Sequence, residues 1–139
     1  MKIMSFDPGV TTGMCFLSTP GDRPSPSAFM HAQLATEMVW TTLDFNKPDL
    51  VVYEGFYWRQ GKTKIDFTPV EVIGIIKEWC RQHDVDYFEQ TPSEGKHFFD
   101  DERLVARDLY VKGQPHANDA TRHLLYFLEF GKGKAYGHL

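Results

Sequence analysis

The segment Lys2–Leu17, KIMSFDPGVTTGMCFL, restricts the fold of this chain more than any other. Lys2–Asp7 carries apolar residues on both alternating faces, so a strand here belongs in the middle of a sheet covered on both sides. That strand ends on a carboxylate, Asp7. Pro8-Gly9 turns the chain, and Thr11–Ser18 returns as an antiparallel partner. Taken alone, Asp7 before Pro-Gly reads as a turn residue. A carboxylate at the end of a buried strand becomes chemistry only if it has partners elsewhere.

The rest of the chain supplies candidates. Thr19–Ser27, TPGDRPSPS, is a loop by composition. Ala28–Leu34 reads as a third strand. Thr36–Phe45 reads as a helix capped by Thr36 and ended by Asn46-Lys47-Pro48. DLVVYEG is a strand of the buried, parallel kind ending at Glu54. Phe56–Phe67 is aromatic and basic without a clear period. Thr68-Pro69-Val70-Glu71 has the pattern of a capping box with Pro at the first helical position, opening a helix to about His83. Val85–Gln90 is another strand, and Thr91-Pro92-Ser93-Glu94 repeats the box before a short helix. Asp100–Lys112 is charged and reads as an arm or a helix. Pro115 opens the last helix, to about Phe130. Antiparallel strands followed by strand–helix alternation predict an α/β domain: a mixed five-stranded sheet, three antiparallel strands first and then parallel ones, flanked by helices.

Composition narrows the class. At 139 residues the chain is expected to form one domain, residues 1–139, with a loose tail from about 131. Apolar content of 42% and charged content of 24% are ordinary for a globular fold. No apolar run approaches the roughly 20 residues of a membrane span, and no membrane partner is expected. The N-terminus lacks the pattern of a secretory leader, so the chain reads as cytoplasmic. Cys15 and Cys80 lie in apolar segments and read as reduced packing residues. The net charge of −4 argues weakly against a nucleic-acid binder, although a metal nuclease must gather carboxylates at its site.

Three acidic residues stand at matching structural locations. Asp7 and Glu54 end strands, and Asp119 lies in the first turns of the last helix. Carboxyl ends of strands and helix N-termini often meet at one edge of an α/β sheet. At roughly 100° per residue, His116, Ala120, His123, Leu124, Phe127 and Phe130 share one face of that helix, and Asn118, Thr121, Arg122 and Glu129 the other. Asp119 lies at the edge of the apolar face, looking toward the sheet, where an unpaired carboxylate is costly. A divalent cation held by Asp7, Glu54 and Asp119 together removes that cost, and oxygen ligands suit Mg²⁺ or Mn²⁺. Each residue also has a plainer role: a turn for Asp7, an ion pair for Glu54, the helix dipole for Asp119, a first-turn polar residue for His116, and a packed core histidine for His123.

The ordered motifs resemble those of the RuvC-like Holliday junction resolvases, within the RNase H-like nuclease superfamily. FDPGVTTG resembles the first-strand motif, and VVYEGFY the second acidic motif, a Glu followed three residues later by an aromatic. TPSEGK resembles the P-x-x-V-K segment, with Gly95 in place of valine. HANDATRH resembles the closing D/H-x-x-D-A helix. The set spans nearly the whole chain, and a small resolvase of the phage-encoded kind fits it. The resemblance implies an RNase H-like fold with Asp7, Glu54, His116 and Asp119 as catalytic metal ligands, for two Mg²⁺ or Mn²⁺ ions. It implies a phosphate contact for Lys96 and base stacking for Tyr57, with Phe56 or Trp58 as alternatives for that wedge. Arg59, Lys62 and Lys64 form the best DNA-facing patch. The segment after Lys96 is acidic (Asp100, Asp101, Glu102), where the family is usually more basic.

The expected activity is metal-dependent endonucleolytic resolution of four-way or other branched DNA by paired phosphodiester hydrolysis. Near two-fold junction symmetry calls for a homodimer, with Val72, Ile75, Ile76 and Trp79 of the helix Thr68–His83 as a candidate interface, at least part of which is expected to be buried against the sheet instead. Three other readings stay open. One is an RNase H-like nuclease acting on flaps or RNA–DNA hybrids. Another is a catalytically silent branched-DNA binder. The third is a phosphate-binding ATPase or kinase of the actin and sugar-kinase group, whose first loop also reads D-x-G-x-T but whose fold usually needs two such domains.

Overall fold

The computed structural model describes residues 1–18, 24–57, 61, 64–131 and 134–135. Five main strands form as the pattern predicts: β1 Ile3–Asp7, β2 Thr12–Leu17, β3 Phe29–Leu34, β4 Leu50–Glu54 and β5 Asp86–Gln90. A two-residue strand, β6 Lys134–Ala135, adds an antiparallel edge to β5 inside the tail. The order across the sheet is β3-β2-β1-β4-β5-β6. β1, β2 and β3 pair antiparallel, and β4 and β5 run parallel to β1. Five α-helices accompany them among the described residues: α1 Val39–Asn46, α2 Thr68–His83, α3 Pro92–Phe98, α4 Asp101–Ala106 and α5 Pro115–Phe130. None is long and apolar enough to cross a membrane.

Side-chain alternation sends neighbouring residues of each strand to opposite covers. Met4 and Phe6 of β1, with Val51 and Tyr53 of β4, pack under α1 and α2. Ile3 of β1, with Leu50 and Val52 of β4, packs under α5. Burial of each such side chain contributes about 1.5–3 kcal/mol. Ser5 would be costly on the α5 side, but its hydroxyl donates to the Ala120 carbonyl at 2.6 Å. Cys80 sits in the first cluster and Cys15 in the second, on opposite faces of the sheet. Burial pushes both thiols up to about 12.

Gly13 explains how α5 reaches the sheet. A Cβ there would stand 1.8 Å from the His116 carbonyl oxygen, so the first turn of α5 lies directly on β2. Only glycine permits that approach.

Local signals were met unevenly. The Thr91–Glu94 capping box forms, with Thr91 N donating to Glu94 Oε1 at 3.1 Å. The Thr68 box does not form. Asp66 Oδ1 accepts from both the backbone N and the hydroxyl of Thr68, at 2.9 and 2.6 Å, and Phe67 becomes the cap residue. Thr36 does not cap either. It opens a 3-10 turn, Thr36–Met38, that leads into α1 without a side-chain cap. Asp100–Lys112 resolves into a helix start: Asp100 caps α4 by accepting from Arg103 N at 3.0 Å.

The proposed dimer face on α2 is corrected. Val72, Ile76 and Trp79 are buried in the core and Ile75 is packed against it. The other face of α5 is corrected as well, because Asn118, Thr121 and Arg122 are buried. Arg122 bonds to Phe99 and Asp101, and Asn118 to Val111, in the segment containing α4, while Thr121 meets Cys15 of β2; Phe99, Leu104, Leu109 and Leu125 form a third apolar cluster under that segment.

Candidate active site

β1 and β4 pair in parallel with Phe6 opposite Tyr53, so Asp7 and Glu54 follow side by side at the carboxyl edge. Parity sends both toward α5, on the side of Ile3 and Val52. The start of α5 crosses that edge and delivers His116, Asp119 and His123. α3 delivers Lys96.

These groups meet. His116 Nδ1 lies 3.3 Å from Asp7 Oδ2. The Lys96 ammonium lies 3.5 Å from Glu54 Oε2 and 3.7 Å from Asp119 Oδ2. Arg122 Nη1 donates to Asp119 Oδ1 at 2.9 Å, and its Nε donates to the Phe99 carbonyl at 2.6 Å. Its other terminal nitrogen pairs with Asp101. His123 is fully buried, with Nε2 2.8 Å from Glu54 Oε2 and Nδ1 2.6 Å from Gln90 Oε1.

The electrostatics are those of crowded carboxylates. Burial, then Glu54 and Asp119, push Asp7 up to about 8, against the opposing pull of Lys96. Asp7 therefore keeps its proton near neutrality and shares it with Glu54. Burial also pushes Glu54 upward, but His123, Lys96 and the bond from Asp7 outweigh it and hold that carboxyl below its usual range. Burial pulls Lys96 down, and the three carboxylates more than reverse this and hold its pKa up. A cation already stands between two of the acids. Among the described residues, however, no group of three or more His, Cys, Asp or Glu side chains is arranged to hold a metal ion.

A cleft of about 420 Å³ opens beside Glu54, lined by residues that include Pro8, Phe56, Tyr57, Lys64, Pro69 and Pro92. Tyr57 is exposed and its hydroxyl donates to Glu89 at 3.3 Å. Phe56 packs inward on the core. Trp58, Arg59 and Lys62 lie outside the described residues.

Sequence reasoning placed Asp7, Glu54, Asp119 and His116 at one edge, and the structure brings them together with Lys96. It missed three supporting residues. His123 is buried, as a core histidine should be, but both its ring nitrogens face polar groups of the site. Gln90 ends β5 directly opposite Glu54 in register, the position from which it reaches His123. Arg122 was placed only on the face of the helix opposite the apolar one, with no role. The available signal was spacing: His123 follows Asp119 by one helical turn on the sheet side. The acidic run after Lys96 also has a role, since Asp100 caps α4 and Asp101 pairs with Arg122.

Solved structures share this arrangement of strands and helices. Thermus thermophilus RuvC, solved in complex with a Holliday junction substrate, aligns with a TM-score of 0.68 at 15% identity, covering 97% of this chain and 99% of that one. The fold is RuvC-like. A second Thermus thermophilus RuvC structure gives a TM-score of 0.64 at 16% identity over 97% of this chain and 99% of that one. The fowlpox virus Holliday junction resolvase gives 0.55 at 17% identity, over 93% and 99%. No protein-family model and no curated protein matches the sequence. The RuvC-like fold thus accounts for nearly the full length of the chain, and the carboxylates stand at the carboxyl edge of its central strands.

Proposed function

We propose that this chain is a divalent-metal-dependent endonuclease that resolves four-way or other branched DNA by paired phosphodiester hydrolysis. The observation that carries the reading is the meeting of Asp7, Glu54 and Asp119 on one edge, crowded enough to push Asp7 up to about 8. Carboxylates this crowded favour a cation in place of the Asp7 proton, and hard oxygen donors with one imidazole suit Mg²⁺ or Mn²⁺. Asp7, Glu54, Asp119 and His116 would hold them. When bound, two such ions activate a water and stabilise the leaving oxygen of a phosphodiester.

The chain's own residues do the rest. Asp7, on a strand covered from both sides, is held still. Arg122 holds Asp119, and His123 holds Glu54. Lys96 partners both Glu54 and Asp119 in the free protein, and its ammonium would serve a substrate phosphate if bound cations relieved it of that role. Tyr57 and Lys64 line the cleft beside Glu54 and serve base stacking and phosphate attraction. The wedge role falls better to Tyr57 than to Phe56, whose ring is committed to the core. Paired cuts on a nearly two-fold substrate call for two copies of the chain, through a surface other than the buried stripe of α2.

The test is a cleavage panel on a four-way junction, a flap and an RNA–DNA hybrid with Mg²⁺ or Mn²⁺, using wild type and Glu54→Gln. Junction cutting by wild type and its loss in the variant, on the order of 10³-fold, is expected. Wild-type cutting by the variant would overturn the site. Preferential cutting of flap or hybrid would reassign the substrate, and junction binding without cutting would make the chain a silent binder.

A further inference from the structure

The His123–Gln90 pair has no counterpart among the metal-ligating positions assigned above, yet it is the most buried polar contact that any of the carboxylates makes. The network fixes its orientation. Gln90 Nε2 donates to the His123 backbone carbonyl at 3.1 Å, so Gln90 Oε1 must be the acceptor facing the ring. His123 Nδ1 then carries a proton toward Gln90 at 2.6 Å. The remaining nitrogen, Nε2, meets Glu54 Oε2 at 2.8 Å, and a hydrogen bond there shares a further proton. One end of the Glu54 carboxylate is thus tied to a ring that cannot rotate without breaking bonds on both sides.

A glycine makes the room. A Cβ on Gly95 would stand 2.9 Å from His123 Nδ1 and 3.2 Å from the His123 backbone nitrogen. The motif this segment resembles carries valine here, and a valine side chain and the imidazole could not share the space. Gly95 on α3 and His123 on α5 therefore form one device, and β5 contributes Gln90 to it.

From this geometry we infer that His123, oriented by Gln90 and admitted by Gly95, is a positioning residue that sets the Glu54 carboxylate for the reaction. The inference rests on the reading of Glu54 as a metal-binding catalytic carboxylate. His123 is fully buried and meets the carboxylates through Glu54. It commits Oε2 in one direction and fixes the plane of the carboxyl group, as outer partners of metal ligands do. Without it, Glu54 at a strand end would sample several rotamers.

Two substitutions separate positioning from packing. In His123→Gln the amide nitrogen falls near the place of Nε2 and keeps a donor for Glu54. In His123→Asn it falls near Nδ1, keeping Gln90 and losing Glu54. The full-length chain is first checked for folding by thermal melt. Mn²⁺ affinity is then read from the EPR signal of free Mn²⁺, and kcat and KM are read on a four-way junction. His123→Gln should stay within about threefold of wild type. His123→Asn should lose about 10–100-fold in Mn²⁺ affinity and in kcat, with KM for the junction unchanged. If His123→Asn does not fold, Gly95→Ala, which presses on Nδ1, should show the same split.

A folded His123→Asn or Gly95→Ala protein with wild-type Mn²⁺ affinity and kcat would overturn the inference. So would an equal loss in His123→Gln and His123→Asn, which is the mark of packing alone. Glu54→Gln separates the two levels. If it keeps Mn²⁺ affinity and cutting, the assignment of Glu54 itself fails. If it loses both while His123→Asn keeps both, only the positioning role fails.

Discussion

Replacing Asp7 by Asn should stabilise the metal-free protein near pH 8. In the folded chain Asp7 is pushed from 3.8 up to about 8 by burial, Glu54 and Asp119. The unfolded chain has the ordinary value. Between pH 4 and pH 8 the folded state therefore holds a proton that the unfolded state has released. Stability from this group is complete below pH 4 and is lost as pH rises toward 8. From pH 5 to pH 8 the change is at most roughly 3–4 kcal/mol, at 1.36 kcal/mol per unit. Relaxation of the site and water entry reduce it, and we take ~2 kcal/mol. For a domain of this size that is a Tm shift of about 6 °C. Asn keeps the shape and loses the titration. In EDTA, wild type should lose more Tm than Asp7→Asn between pH 5 and pH 8, and the variant should melt higher at pH 8. Adding Mn²⁺ at pH 8 should raise wild type and leave the variant nearly unmoved. Equal pH slopes for the two proteins in EDTA would refute the crowding of Asp7.

Two structural tests complement it. Gly13→Ala puts a methyl into the His116 carbonyl and should cost at least about 3 kcal/mol by pushing α5 off β2, read as a drop in urea midpoint. Arg122→Ala leaves the Phe99 carbonyl unpaired and frees Asp119 and Asp101, for a loss of ~3 kcal/mol. Hydrogen exchange should then rise first across α4 and the start of α5.

Much of the fold is legible in local pattern. Strands covered on both sides show apolar residues on both alternating faces, as Ile3–Phe6, with Ser5 its one polar member, and Leu50–Tyr53 do. Pro115 and the Thr91 box announce helix starts because the unpaired backbone groups there are a local problem with local solutions. Two local signals misled, each for its own reason. Thr68 had the right spacing for a box, but Asp66, two residues upstream, is the stronger acceptor. The apolar stripe of α2 reads equally as an interface or a core, because a side chain does not record what covers it.

The acidic residues at the ends of β1 and β4 and near the start of α5 were identifiable because each sits at a position that its own neighbours define. Their meeting depends on the register of β1 with β4 and on the close approach of α5 over Gly13. The contacts that the supporting residues make were not legible in the same way. Arg122 is buried only because α4 folds over it, Lys96 lies between Glu54 and Asp119 only because α3 packs on α5, and His123 turns to Glu54 only because Gly95 leaves it space. Capping, alternation and turn chemistry act within a few residues and can be read along the chain. Register and helix-on-helix packing join residues far apart in the chain, Gln90 with His123 across 33 positions and Ser5 with Ala120 across 115, and no local stretch carries that information.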